Sequence, residues 1–515
     1  MNNIASTFDS LAGASSGPGL ARILDRTAFG GLLLMCAAAP HSIAVTQIGW
    51  LVGMTAWLVR CFVSPRLKVI FGPIAIALAG LFAWTAISAI FSYEPAVSLG
   101  KLRGVSVFLI FIFALNTLRD RRAIYFIAFL LIGSCMISVA WTPIQKILGR
   151  SVQFSELSSG SPLAAKGARD GDVIVRANKT RVSTPDGVIA ELARTKRVTL
   201  EMNRLDGVYW IELEPADLLQ GNTAQEQLGF GQWQRWHGFR AAGFYGHFTT
   251  YAEVLQLIGA LAFALFIAAL VAGGHFRNAA ALAICVVGIG LALLLTVTRA
   301  SQLAFAISSI STVLLGATRK ILLISVAVAV PVAAISLFVL QQQRKVGFFD
   351  SKDGSIQYRQ MMWRDGFRLL TDSPRHLLVG VGMDSVKNRW EEWGFFDKGW
   401  QPMGHFHSTP LQLAVERGIP ALLIWLIVLG IYARTLWLGL KQTKGSSDWR
   451  GRGILLGCLG SLVGFFASGL VHYNLGDQEV AMVFFILMAM GVKLSELPPS
   501  DDLLLKDAAI LQPNA

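Results

Sequence analysis

The sequence predicts an all-α polytopic membrane protein of about 12 transmembrane helices, interrupted by one α/β insert. Three observations carry that expectation. Of the 515 residues, 54% are hydrophobic and only 15% charged, whereas a soluble domain averages roughly 25% charged residues. The mean hydropathy is +0.54. Apolar runs of the length needed to cross the hydrocarbon core, about 20 residues, recur along the whole chain. These values exclude a disordered chain, a collagen and a disulfide scaffold. Cys36, Cys61, Cys135, Cys285 and Cys458 all fall inside apolar runs and read as small core residues.

The runs place candidate spans at 24–39, 43–63, 67–91, 102–119, 123–142, 248–272, 279–297, 300–316, 320–341, 415–438, 453–471 and 477–494. Residues 1–20 are rich in Gly, Ser and Ala and lack a basic leader, so a cleaved signal peptide is not expected. Orientation follows from where Lys and Arg sit. One set of short segments carries seventeen: Arg22, Arg26, Arg60, Arg66, Lys68, Arg119, Arg121, Arg122, Arg277, Arg319, Lys320, Arg434, Lys441, Lys444, Arg450, Arg452 and Lys493. The opposite short turns carry Lys101, Arg103 and Arg299 alone. Both termini are therefore expected in the cytoplasm, and the net charge of +13 is explained without nucleic acid. The domain plan is a tail at 1–20, helices 1–5 over 21–142, an insert at 150–214 and helices 6–9 over 240–341. An outward segment at 342–408, helices 10–12 over 409–494 and a cytoplasmic tail at 495–515 complete it. In a Gram-negative cell the two long polar segments face the periplasm.

The insert reads as strand 152–157, a tight turn into a buried strand after Asp170-Gly-Asp172, helix 185–194 and strands 197–203 and 208–214. Gly160-Ser-Pro162, Asp170-Gly-Asp-Val-Ile174 and Val182-Ser-Thr-Pro185 make it resemble a bacterial PDZ domain. Such domains add a peptide as an extra strand beside a loop of backbone N–H groups. Here that loop falls near Leu148-Gly-Arg150 and departs from the usual pattern, so peptide binding and a role as spacer or cap stay open. Asp170-x-Asp172 also has the form of a metal-binding DxD, but the turn accounts for it.

A charge near the outer end of a membrane helix is costly and is kept mainly where it lines a polar cavity. Lys101, Arg103 and Arg299 thus mark a provisional anion site, with snorkelling to headgroups as the alternative. The second outward segment ends in Gly404-His-Phe-His407-Ser408, followed by Glu416, Arg417, Gly418 and Pro420. A histidine titrates near neutrality and can take a proton from a hydroxyl nucleophile. Upstream, 356–370 is an amphipathic helix with Arg359, Trp363, Arg364 and Phe367. Trp390, Trp393 and Trp400 offer surface for sugar stacking or an interfacial belt. Arg240, Arg299 and Arg359, with Lys101 as a point charge, suit phosphate oxygens if they converge. Glu416 could hold a histidine or arginine, or simply pair with Arg417. His-x-His with His376 or His472 could bind metal, but no carboxylate or cysteine stands at ligand spacing. A contact to the acceptor, or to the other histidine, suits His405 better. Gly380-Val-Gly382 lacks the βαβ context of a dinucleotide fingerprint.

Four segments carry a further resemblance. They are Arg240-Ala-Ala-Gly-Phe-Tyr, Thr296-Val-Thr-Arg299-Ala-Ser, Arg359-x-x-x-Trp363 with Gly380-Val-Gly382, and His407-Ser408 nine residues before Gly418. Through them the chain from residue 21 to about 493, without the insert, resembles the O-antigen ligase family, whose polymerase relatives share its fold. Ser408 replaces the more frequent Asn, and the insert is not part of the common pattern. The resemblance implies inverting transfer of a glycan from undecaprenyl diphosphate to an acceptor hydroxyl, such as lipid A–core, at the periplasmic face of the inner membrane. His407 would deprotonate or orient the hydroxyl. Lys101, Arg240, Arg299 and Arg359 would stabilise the departing diphosphate, without a metal or other cofactor. The competing expectations are a polymerase, a protein O-oligosaccharyltransferase, and a transporter or scaffold recruiting peptides through the insert. No internal repeat of the transporter kind is visible.

Overall fold

The computed structural model describes residues 2–14, 19–204, 207–344, 354–399 and 404–498. The parts of the expected outward segment at 345–353 and 400–403, including Trp400, and the tail from 499 onward lie outside the described residues. The protein is mostly helical. Among the described residues nine helices are long and apolar enough to cross a membrane: Ile43–Phe62, Pro73–Ile90, Pro95–Thr117, Arg121–Leu148, Phe248–Ala272, Phe276–Leu295, Thr409–Gln442, Trp449–Gly469 and Gln478–Glu496. This is a multi-pass membrane protein. Helices Gly19–Ala38, Arg299–Gly316 and Arg319–Arg344 stand where the other three candidate spans were expected. The first opens with Arg22, Asp25 and Arg26, and the second carries Ser301, Gln302, Ser308, Ser309, Ser311 and Thr312, which makes both more polar.

Several boundaries differ from the apolar runs for local reasons. The run from 67 becomes helical only at Pro73, whose fixed φ suits a first helical position after Gly72. The run from 102 starts earlier, at Pro95, so Lys101 and Arg103 lie inside a helix rather than on a turn. The run from 415 extends back to Thr409, where the Ser408 hydroxyl accepts from the Leu411 N–H at 3.4 Å as N-cap.

The chain divides into two compact units, 1–139 with 242–515, and 140–241. In the first, small residues let helices approach closely. A Cβ on Gly31 would lie 2.5 Å from Gly53 Cα, so helices Gly19–Ala38 and Ile43–Phe62 cross backbone to backbone. Gly453 and Gly457 do the same against Leu265 and Leu261 of Phe248–Ala272. Buried hydroxyls are satisfied across these contacts, Ser461 on Leu257 O at 3.0 Å and Ser308 on Gly460 O at 2.7 Å.

The second unit is an antiparallel sheet of six strands: β1 Arg150–Leu157, β2 Val173–Ala177, β3 Thr180–Arg181, β4 Val198–Arg204, β5 Gly207–Leu213 and β6 Phe230–Trp236. Its order is β5-β4-β2-β1-β6, with β3 paired to β2. Alternating residues bury Val152, Phe154, Ile174, Val198, Leu200 and Ile211 on one face, covered by helix Pro185–Thr195 through Val188 and Leu192. The sheet thus includes β6, beyond the expected 150–214. The Asp170 and Asp172 carboxylates both serve the turn. Asp170 accepts from the Leu157 N–H at 2.8 Å, and Asp172 from the Arg169 N–H at 2.7 Å and from Arg204 at 2.6 and 2.8 Å.

Candidate active site

The site lies in the first unit, where residues 354–399 and 404–408 pack at the start of helix Thr409–Gln442. Pro420 has no N–H and Gly418 is left-handed (φ 78), so the helix breaks after Arg417 and its carbonyls lose their partners. Gly380-Val-Gly382 crosses there and replaces them. The Val381 N–H donates to Val415 O at 2.9 Å and the Gly382 N–H to Glu416 O at 2.8 Å, while Trp84 Nε1 donates to Arg417 O at 2.9 Å. A Cβ on Gly418 would meet Leu378 O at 2.0 Å. The glycine of the His-to-Gly spacing is therefore required by close packing, and the two glycines of Gly380-Val-Gly382 serve the same crossing.

At the mouth of this helix Phe406 is fully buried. Its N–H donates to Gln412 Oε1 at 2.8 Å and its carbonyl accepts from Trp363 Nε1 at 3.0 Å. This anchoring leaves its two neighbours, His405 and His407, as a ring pair with centroids 4.2 Å apart. His407 is left-handed (φ 47), a conformation uncommon outside glycine and enriched at functional positions. The His407 ring lies 5.4 Å from Tyr358, and His405 lies 5.9 Å from Tyr473. Burial, then the neighbouring His405 and Arg359, push His407 down to about 2, and burial with Lys387 pushes His405 down to about 4. Both rings are neutral near pH 7.

Arg359, on helix Gly354–Thr371, donates through Nε to Val471 O at 3.2 Å and lies 3.4 Å through Nη2 from His472 Nε2. A guanidinium only donates, so His472 Nε2 must be the accepting nitrogen. Its Nδ1–H then faces Glu253 Oε1 at 2.8 Å, in a pair buried between the helices. The His472 carbonyl also accepts from the Thr409 N–H and hydroxyl, two residues after His407. One loop residue thus ties Arg359 and the histidine turn to the membrane core.

Beside these groups opens a cleft of about 270 Å³, with apolar walls including Leu78, Leu81, Trp425 and Phe485. Its polar lining comprises Lys101, Asp384, Lys387, His405, Glu416, Arg417 and Tyr473. Asp384 bridges the two lysines, 2.6 Å from Lys101 Nζ and 3.3 Å from Lys387 Nζ. Burial pushes its carboxyl up, but the lysines outweigh this and hold it below the usual range. Glu416 accepts from the Asp384 N–H at 3.0 Å. Arg417 donates to Tyr473 Oη at 3.1 Å, yet its buried Nε has no hydrogen-bond partner among the described residues.

The residues singled out in the sequence are therefore distributed unequally. Lys101, His405 and Glu416 line the cleft, with His407 adjoining His405 and Arg359 within electrostatic reach of His407. Arg299 begins helix Arg299–Gly316 after Val297, itself left-handed (φ 53), and is not among the described cleft-lining residues. Arg240 belongs to the other unit. Arg103, on the same helix as Lys101, is also absent from the described lining. Trp363 holds the histidine turn, while Trp390 and Trp393 pack on the buried cluster of this segment, so they shape it rather than stand as open platforms. His376 is buried between Leu369 O at 2.7 Å and Tyr93 Oη at 2.9 Å. Among the described residues no three His, Cys, Asp or Glu side chains are grouped so as to hold a metal ion. The sequence reading missed Asp384, Lys387, Tyr473 and the Glu253–His472 pair, whose partners are remote in the chain. Arg417 was noted only beside Glu416.

The fold and site define a multi-pass membrane protein that sets a half-buried, neutral histidine pair beside a cation-lined cleft. Residues 280–426 are similar to the O-antigen ligase family. The matched segment contains Arg299, Arg359, His407 and Gly418 and leaves out Lys101 and the inserted unit. No curated protein sequence matches the chain.

Proposed function

We propose that this protein is an O-antigen ligase that transfers a glycan from undecaprenyl diphosphate to an acceptor hydroxyl, in the manner of lipid A–core glycosylation. One observation carries the reading: within the segment matching the ligase family, neutral His407 stands with Arg359 beside a cleft that joins apolar walls to Lys101, Lys387 and Arg417. A prenyl tail suits the walls and a diphosphate the cations. The acceptor oxygen attacks the anomeric carbon from the face opposite the phosphate. A carbon–oxygen bond forms with inversion, the bond to the diphosphate breaks, and the hydroxyl proton passes to a ring nitrogen of His407. The departing diphosphate takes the electron pair, and its growing charge is met by Arg359, Arg417 and the lysines.

The depressed basicity of His407 gives this step a definite character. A base so weak holds and orients the hydroxyl and receives its proton only as the new bond forms. An entering diphosphate offsets the positive charge of Arg359, so the histidine is a stronger base with donor bound than without it. Asp384, held by both lysines, occupies the place of an anion and would yield Lys101 and Lys387 to the phosphates. Arg299 and Arg240 remain proposed diphosphate ligands on the strength of their motifs, and His405 a proposed acceptor contact. Glu416 would shape the cleft by fixing Asp384. The reading puts the site at the periplasmic face of the inner membrane, with about twelve spans and both termini cytoplasmic, an orientation that the asymmetry of Lys and Arg supports. No step calls for a metal ion.

Gene deletion followed by gel analysis of surface glycans tests the reading. Intact long chains retained on the lipid carrier are expected. Accumulation of single repeat units would make the protein a polymerase, and loss confined to protein glycosylation would make it an O-oligosaccharyltransferase. Unchanged glycans of every kind would overturn the assignment.

A further inference from the structure

Two helices that border the cleft carry a second cavity towards their other ends. Pro95–Thr117 lines the cleft at Lys101, Gly104 and Phe108 and the cavity at Asn116. Gln478–Glu496 lines the cleft at Gln478, Ala481 and Phe485 and the cavity at Lys493. From Phe108 to Asn116, and from Phe485 to Lys493, the helix advances about 12 Å. The cavity, of about 270 Å³, is thus separate from the proposed transferase site.

One wall is the non-helical stretch 63–72, which side chains hold in shape. Arg60 Nη1 donates to Val63 O at 2.9 Å and to Pro65 O at 2.8 Å. Asn116 clamps Ile70, accepting from its N–H at 2.7 Å and donating to its carbonyl at 3.1 Å. Lys68 is thereby brought to the cavity with Arg119 and Lys493. Arg119 donates to Asp25 Oδ1 at 2.6 Å and to Gly13 O at 3.0 Å, but Asp25 is shared with Arg60 at 3.2 Å. The described lining holds no carboxylate, and Glu496, one turn beyond Lys493, is exposed. Three cations around one small space repel each other, a cost that a bound anion removes. A second observation points the same way. Trp57 lines the cavity at 6% exposure, and its buried Nε1–H has no hydrogen-bond partner among the described residues. Snorkelling accounts for lysines at a membrane face, but not for an indole donor left unpartnered at the cavity they share.

We propose that this cavity binds the phosphate of an anionic membrane lipid through Lys68, Arg119 and Lys493, with the Trp57 indole N–H as a further donor. Phe62 and Phe71, 81% and 50% exposed at the two ends of the same stretch, suit acyl chains better than water, which favours a lipid over free phosphate. All three cations belong to the set expected in the cytoplasm, so the lipid would come from the inner leaflet. The binding is independent of the transferase reading, and its test uses no activity measurement. Purified full-length protein in detergent is titrated with phosphatidylglycerol, phosphatidylcholine or inorganic phosphate and read by native mass spectrometry. Wild type should hold one phosphatidylglycerol about tenfold more tightly than phosphatidylcholine, and millimolar inorganic phosphate should not displace it. Lys68→Gln with Lys493→Gln should weaken that binding about tenfold, and Trp57→Phe, which keeps the ring and removes the donor, should weaken it severalfold. Arg319→Gln with Lys320→Gln removes the same charge outside the described lining and should leave the binding unchanged. Equal retention of the two lipids, or displacement by inorganic phosphate, would overturn the proposal. So would equal weakening by the two double variants, or undiminished binding in both cavity variants.

Discussion

Two buried charges, one in each unit, show what separates a structural ionic group from a working one. Asp172 in the inserted unit is surrounded by donors from its own fold: the Arg204 fork, Tyr209 Oη at 2.5 Å and the Arg169 N–H. Burial alone would raise its carboxyl, but these partners hold it below the usual range. Arg417 is 5% exposed, donates to Tyr473 and, among the described residues, has no partner for its buried Nε where it lines the cleft. A buried unpartnered donor costs roughly 1–3 kcal/mol, which a bound anion would offset. The first charge completes a fold, and under the proposed function the second meets the ligand.

The largest expected effect breaks the site without the fold. His407→Ala should reduce transfer by about 10²–10⁴-fold, the range of a positioned acid–base group, with the melting temperature unchanged because no tertiary contact depends on its charge. Gly418→Ala should fail differently. Its left-handed φ and the 2.0 Å approach to Leu378 O should lower stability as well as activity, seen as a fall in melting temperature. Arg417→Gln should raise the KM for lipid-linked donor about tenfold, roughly 1.4 kcal/mol of binding, with little change in thermal stability. Asp172→Asn should show the opposite pattern: a melting temperature lower by several degrees, as expected for the loss of about 1–2 kcal/mol of charge-assisted bonding, and unaltered KM. Equal effects of the last two on KM would erase the distinction between the units.

The smallest effect concerns pH. His405 and His407 are depressed from 6.5 to about 4 and about 2. Between those values and 6.5 the unfolded chain binds protons that the folded chain does not, so stability rises with pH there. The contribution of the pair is complete above pH 6.5 and is lost as pH falls below it. Thermal melts between pH 7 and 5 should show a decline, which His405→Gln with His407→Gln should flatten.

Much of this architecture was readable because membrane helices impose a length and an apolarity on each run. The insert announced its strands through alternation and turn residues, and His407, Ser408 and Gly418 through their spacing. What could not be read was pairing across the chain. Glu253 and His472 are 219 residues apart, and Asp384 reaches Lys101 from another segment altogether. β6 carries little sequence signal, because only Phe230 and, in part, Trp233 pack on the buried cluster, leaving weak alternation. The apolar run begins after Lys101 and so suggests a turn there, whereas Pro95 starts the helix earlier.

The most direct test of the central claim uses purified protein in nanodiscs with an undecaprenyl-diphosphate-linked glycan and a core-glycolipid acceptor. Wild type should glycosylate the acceptor and release one undecaprenyl diphosphate per transfer, in chelator as in buffer, while His407→Ala releases almost none. Undiminished transfer by His407→Ala, or wild-type protein that leaves donor and acceptor unchanged, would contradict the account.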